Sequence, residues 1–310
     1  MLQCVHAYRK RIAIRSRSMR QFVVEIAFLT VACASATSPR FETVGSPELW
    51  APGIVSTARS EVRMTISPDG RRMLWGVLDW PSGPGKWEIL ESARSDSGWS
   101  EPRVAAFNSD ANDFDPSFDP NGKGVYFFSN REGGFGKDDL YFVPFDPATG
   151  HYGEARNLGS NINSAGDEWA PVVSPDGSVL LFATDGRGGL GKHDLFRASR
   201  NGDGWGAAVP IAELNTDAED FDATFLHDGR SIVLSSGSFD GTIDLYFVPW
   251  IGGKYGDRQL LGPDVNSKEP DAWTFGPSIT ANEPGVLYFT SHHAVHAGRA
   301  DIYRIRYVVH

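Results

Sequence analysis

A four-part unit recurs five times along this 310-residue chain, and it constrains the fold more than any other feature. Its first part is a short run ending in a turn: "TISPDG" (65–70), "SFDPNG" (117–122), "VVSPDG" (172–177), "TFLHDG" (224–229) and a longer copy, "SITANEPG" (278–285). An apolar run follows each: "RMLWGVL", "GVYFFSN", "SVLLFAT", "SIVLSSG" and "GVLYFTS". The third part opens with an acid, Glu88, Asp139, Asp194, Asp244 or Asp301, and the fourth starts near Trp99, Tyr152, Trp205 or Tyr255. β-branched and aromatic runs of this length, punctuated by Gly, Asn, Asp and Pro, predict strands, and no segment carries a long helical period. The Asp-Gly pairs Asp69-Gly70, Asp176-Gly177 and Asp228-Gly229 are hairpin-turn chemistry.

Four strands repeating about every 50–55 residues predict an all-β fold, a β-propeller in which each unit is one blade. A lone blade cannot bury both faces, so the ring of blades makes the core. Five first, second and third strands can be counted, but only four fourth strands follow them, because the chain stops at "IYRIRYVVH". The segment "ELWAPGIVSTARSE" (48–61) reads as a fourth strand with no blade before it, comparable to "GWSEPRVAAFNSD" (98–110). The economical arrangement is five four-stranded blades, the last completed by this N-terminal strand, which removes an open edge. The alternative of six blades needs a further copy for which too few residues remain.

Residues 1–38 read as an export signal and 39–310 as a single propeller domain. Arg9, Lys10, Arg11, Arg15, Arg17 and Arg20 precede the apolar run "FVVEIAFLTVACASA", with small-residue cleavage sites after it, and Met19 is an alternative start. About 15 apolar residues fall short of the ~20 a spanning helix needs. The only two cysteines, Cys4 and Cys33, lie in this segment, so the mature domain has no disulfide framework. Cys33 after "LTVA" resembles a lipoprotein acylation site, which would make a lipid anchor there the one membrane attachment. The first 38 residues hold six of the 29 bases and one of the 39 acids, which leaves 23 bases against 38 acids and a charge of −15 beyond them. Such an acidic body, without basic clusters, argues against nucleic acid as a partner.

The stretch "GRGGLGKHDLF" (186–196) contains G-x-G-x-x-G at Gly186, Gly188 and Gly191. A phosphate cradle would need a helix after it and Ser or Thr after Lys192. A strand follows instead, His193 stands at the hydroxyl position, and the sister loop "REGGFGKDDLYF" breaks the pattern while keeping Gly133, Gly134, Gly136 and Lys137. The expectation is a wide hairpin loop in which glycines permit positive φ, with Asp139 or Asp194 accepting bonds from backbone N–H groups or from Arg131 and Arg187.

In a four-stranded antiparallel blade, the link between strands two and three lies on the same face as the link to the next blade. The interblade links carry Glu61, Asp113, Glu168, Asp220 and Asp271, followed by Phe114, Trp169, Phe221 and, in a looser alignment, Phe275. Together with Arg131, Lys137, Arg187 and Lys192 they form a candidate binding rim around the central channel. The plain alternative is that the acids and Asn residues cap turns and the aromatics pack between blades. No cofactor is called for. Ca²⁺ is the ion the acidic links would suit, yet no D-x-[DN]-x-[DN]-G loop occurs. "HHAVH" (His292, His293, His296) lacks a defined fourth zinc ligand. There is no G-x-S-x-G, which argues against serine hydrolysis. Glycoside hydrolysis needs one suitably spaced carboxylate pair, whereas these acids recur with the repeat.

"LGSNINSAGDEWAPVVSPDG" (158–177) and "SNREGGFGKDDLYF" (129–142) resemble the WD-like propeller repeats of TolB-type bacterial envelope proteins, over residues 48–307 and most clearly in the second and third blades. That resemblance implies an exported propeller, in the periplasm or at the outer membrane, that acts by binding. Six blades are common in TolB itself, so its particular partner role is not carried over. The expectation is a monomeric binding scaffold whose partner is an envelope protein or a glycan. A carbohydrate-binding or glycoside-hydrolysing propeller is the alternative.

Overall fold

The computed structural model describes residues 38–78, 85–270, 272–292 and 300–310, all within one compact unit, Ser38–His310. Residues 1–37 of the expected export signal, with Cys4 and Cys33, and Asp271, His293 and His296 lie outside the described residues.

Five antiparallel sheets form the five blades. Their innermost strands are Ser60–Ile66, Asp113–Phe118, Glu168–Val173, Glu219–Phe225 and Thr274–Ser278. Each touches the innermost strands of two other blades, and that of blade 5 touches that of blade 1, so the ring closes. At every blade boundary a backbone hydrogen bond joins the two blades. Asp113, Glu168, Asp220 and Glu61 donate to the carbonyls of Trp87, Asp138, His193 and Ala300, and Ile243 donates to Ala272 (2.8–3.1 Å). Asn163, Asn215 and Asn266 clamp both backbone groups of Leu140, Leu195 and Leu245, pinning each link to a third strand.

Blade 5 consists of Thr274–Ser278, Val286–Ser291 and Asp301–Val309, completed on the outside by Phe41–Leu49. The closing strand is thus N-terminal, as expected, but it lies upstream of the expected 48–61. Residues 50–59 form turns and bends that lead into blade 1. The likeness to 98–110 is real in the link, where Thr57 and Glu61 correspond to Ser109 and Asp113. It fails for the strand. In blade 1 the outer strand breaks into Gly98–Trp99 and Arg103–Val104, whereas Phe41–Leu49 runs nine residues through one irregularity between Val44 and Glu48. Phe41 stacks on Tyr307 at 4.7 Å, and Gln259 of blade 4 bonds both backbone groups of Phe41.

Every innermost strand carries a bulge at the same step, between Val62 and Met64, Phe114 and Ser117, Trp169 and Val172, Phe221 and Thr224, and Phe275 and Ser278. The bulged residues Arg63, Asp115, Ala170, Asp222 and Gly276 all have positive φ, from 41° to 59°. Such a backbone is strained for all but glycine. A bulge bends the strand and re-aims its side chains. Here it delivers Arg63, Asp115 and Asp222 to the interior of the ring, all three buried.

Candidate functional site

The residue before each bulge is Val62, Phe114, Trp169, Phe221 or Phe275, one from each blade. These five side chains surround the mouth of the channel and line a cup of about 390 Å³. Trp87, Phe239 and Trp273 add further rings from the links on the same face, with Leu78, Phe128 and Ile243 behind them. The rings contact one another: Trp87 and Phe114 at 5.4 Å, Phe221 and Phe239 at 5.2 Å, Phe239 and Trp273 at 5.6 Å. Phe114, Trp169, Phe221 and Phe275 therefore converge on the face where the links meet.

The charged lining groups of the cup are Asp115 and Asp222. Arg63 lies 3.3 Å from Asp222 and also donates to the carbonyls of Pro171 and Ala223, while the N–H of Gly276 donates to Asp222 at 3.1 Å. Burial holds the Asp115 carboxyl well above the usual carboxylate range, and the neighbouring Asp222 raises it further against the pull of Arg63. Burial also raises Asp222, with Arg63 opposing. The pair does not repeat: blades 1, 3 and 5 have Arg63, Ala170 and Gly276 at these positions. Sequence reasoning singled out the first acid of each "DFD" (113–115 and 220–222) and passed over the second, which is the one facing the cup.

The acids named from sequence take another course. Glu61, Asp113, Glu168 and Asp220 stand one residue ahead of the cup residues on strands whose side chains alternate, and each is at most 1 % exposed. Each accepts bonds from a hydroxyl residue four positions earlier. Ser109, Ser164 and Thr216 give both a backbone N–H and a hydroxyl to Asp113, Glu168 and Asp220, and the Thr57 hydroxyl reaches Glu61 at 2.5 Å. They cap equivalent turns in four blades. Burial pushes the Glu61 carboxyl up to about 7. Glu168 is also raised, again by burial.

The four cations hold the loops together. Arg131 pairs with Asp113 at 2.5 Å, and Arg187 donates to the carbonyls of Ser160, Ile162 and Asn163. Lys137 bridges Asp167 and Asp185, and Lys192 lies 3.5 Å from Glu219. In the glycine loops, Asp139 accepts the N–H groups of Phe135 and Gly136, and Asp194 accepts that of Gly191. Gly191 is required for space. A Cβ there would stand 1.9 Å from the carbonyl oxygen of Ala218 in the link to blade 4. The "GGxGK" loop is thus a contact between neighbouring blades.

No protein-family model matches the chain, and no curated protein sequence matches it. Solved structures do. An endo-arabinase from Bacteroides thetaiotaomicron superposes with a TM-score of 0.51 at 11 % identity, over 82 % of this chain and 96 % of that one. TolB from Acinetobacter baumannii gives 0.48 at 16 % identity, over 81 % of this chain. A putative TolB from Agrobacterium tumefaciens gives 0.48 at 17 %, over 81 % of this chain and 84 % of that one. This chain spans little more than half, 56 %, of the Acinetobacter protein. At such identities the likeness concerns architecture, and the class defined here is the five-bladed β-propeller. Among the described residues no helix is long and apolar enough to cross a membrane.

Proposed function

We propose that this protein is an exported binding module of the cell envelope, and that a partner inserts an apolar or aromatic group into the cup at the channel mouth. The observation that carries this reading is the convergence of one apolar residue from each of five blades, reinforced by Trp87, Phe239 and Trp273, on a single concave site. Aromatic anchors in desolvated pockets supply most of the energy of such contacts. The basic and apolar N-terminal stretch supports export.

Phe239 and Trp169 are half-buried at the cup wall, so truncating them tests recognition with limited cost to the fold. Partners captured by the wild-type protein from envelope extract are expected to be lost from Phe239→Ala and Trp169→Ala variants that unfold at temperatures near wild type. Capture unchanged in both would sink the proposal.

The Asp115 and Asp222 pair favours a second reading, glycoside hydrolysis, because it is unrepeated and sits in the cup. Reducing-sugar release from a polysaccharide panel, abolished in Asp115→Asn and Asp222→Asn variants that remain folded at the assay temperature, would establish it in place of the first reading.

A further inference from the structure

We propose that Asp167, Asp185 and His193 form a binding site for a divalent transition-metal ion, with Zn²⁺ as its simplest occupant, at the rim end of blade 3. The strand register places the three residues side by side. Glu168 pairs with Thr184, and Thr184 with Asp194, as the last rung of the sheet. Asp167, Asp185 and His193 are the next residue outward on each of those three strands. One potential ligand atom from each lies within 4.8 Å of the other two. Zn²⁺ bonds of about 2.1 Å put ligand atoms about 3.4 Å apart in a tetrahedron, a closure of side chains at the solvent edge.

His193 supplies the observation that points to a ligand. It is 7 % exposed, and its Nδ1 lies 2.8 Å from Glu219 Oε2. A carboxylate there accepts the Nδ1 proton and leaves the lone pair on Nε2. Nε2 is buried without a hydrogen-bond partner, an arrangement that costs free energy unless something fills it. The ring is held in place. Trp169 stacks on it at 4.0 Å and 18°, and is itself fixed by a 2.8 Å bond from its Nε1 to Asp138.

The carboxylates are arranged to match. Asp167 Oδ1 accepts the Asp138 N–H, and Asp185 Oδ1 accepts the Asp167 N–H. The Oδ2 atoms of both face one cation, the Lys137 ammonium, at 3.1 and 3.4 Å. Lys137 is 64 % exposed and can swing out. Its ammonium marks where positive charge is stabilised and would compete with a metal.

The same rung in the other blades excludes a repeated structural role. It reads Ser60, Leu78, Trp87 in blade 1 and Asn112, Asn130, Asp138 in blade 2. In blade 4 it reads Glu219, Gly237, Ile243, and in blade 5 Trp273, His292, Ala300. Blade 3 alone offers two carboxylates and an imidazole. One imidazole with two carboxylates suits a transition metal, whereas Ca²⁺ and Mg²⁺ ask for about six or more oxygens. Since Trp169 also forms the cup wall, a bound ion would stiffen that wall. This last consequence rests on the binding-module reading, but the metal site itself does not.

The test is calorimetric titration of the full chain with Zn²⁺, with Cys4 and Cys33 alkylated so that thiolates cannot compete. One ion per chain is expected. His193→Asn keeps a donor towards Glu219 and removes Nε2, and Asp185→Asn keeps the oxygen that accepts the Asp167 N–H. Each should weaken binding at least about tenfold, and Glu219→Gln by about 10–100-fold. Lys137→Met should tighten binding several-fold, which a purely structural cluster would not do. Zn²⁺ should raise the unfolding temperature of wild type and leave that of Asp185→Asn unchanged. No uptake by the wild-type chain overturns the proposal. So does uptake unaltered by both His193→Asn and Asp185→Asn, as binding at His292, His293 and His296 would give.

Discussion

A single residue in this fold can carry opposite meanings one step apart. In "DFD" at 113–115 the first acid caps a turn, the ring lines the cup and the second acid lies on its floor. Strand alternation sends neighbours to opposite faces, and the positive-φ bulge then turns the third residue inward. Glu61 shows what capping costs. Of the four capping acids it has the weakest set of donors, and one of its oxygens is buried without a partner. Its folded-state pKa of about 7 stands above the ordinary 4.5, so the folded chain binds this proton more tightly than the unfolded chain does. Stability from this group therefore falls as pH rises from about 4.5 to 7 and is level above that, by roughly 3 kcal/mol in all. Glu61→Gln keeps the acceptor for Thr57 and cannot ionise. Denaturant unfolding should show the variant close to wild type at pH 4.5 and more stable by up to about 3 kcal/mol at pH 8. An equal difference at both pH values would refute the assignment.

At the scale of elements, the closing strand matters most. Phe41–Leu49 pairs with the last strand from Tyr303 to Val309, contributes Phe41 to the core shared with blade 4 and carries Glu48, which pairs with Arg304 at 2.9 Å. Without it the last blade exposes an edge, and Tyr307 and Phe247 lose their contact with Phe41. A chain beginning at Trp50 is expected to unfold at lower denaturant than the full chain and to self-associate through Asp301–Val309. Denaturant unfolding with size-exclusion chromatography checks both. Much of this level was legible beforehand, because periodic patterning with Asp-Gly turns reports strands and hairpins locally. The sequence points to 48–61 for the closing strand because the link there resembles the other links, while the strand's pairing partner lies about 260 residues away in sequence, where no local pattern reaches.

At the scale of the whole molecule, Arg63 joins the ring across its centre. Its backbone N–H donates to Thr290 of blade 5, and its guanidinium reaches Pro171 of blade 3 and Asp222 and Ala223 of blade 4. Removing one member of a buried pair leaves a charge without compensation, at a cost of about 3–5 kcal/mol. Asp222→Asn should approach that loss. Asp115→Asn, replacing a carboxyl already biased towards its protonated form, should cost clearly less. Unfolding free energies measured at pH 7 rank the two, and the reverse order would contradict the charge distribution inferred for the channel.

By itself the sequence determined the five repeats, the all-β propeller, the ring closed from the N-terminus and the aromatic residues at the links. Each is written in local periodicity or in a count of strands. Tertiary structure alone decided which acids face the channel, because that depends on a bulge at one step of each innermost strand. It also decided that Arg63, Asp115 and Asp222 meet, since they come from three blades. Asp167, Asp185 and His193 are separated by 18 and 8 positions, and only the pairing register of three antiparallel strands makes them neighbours.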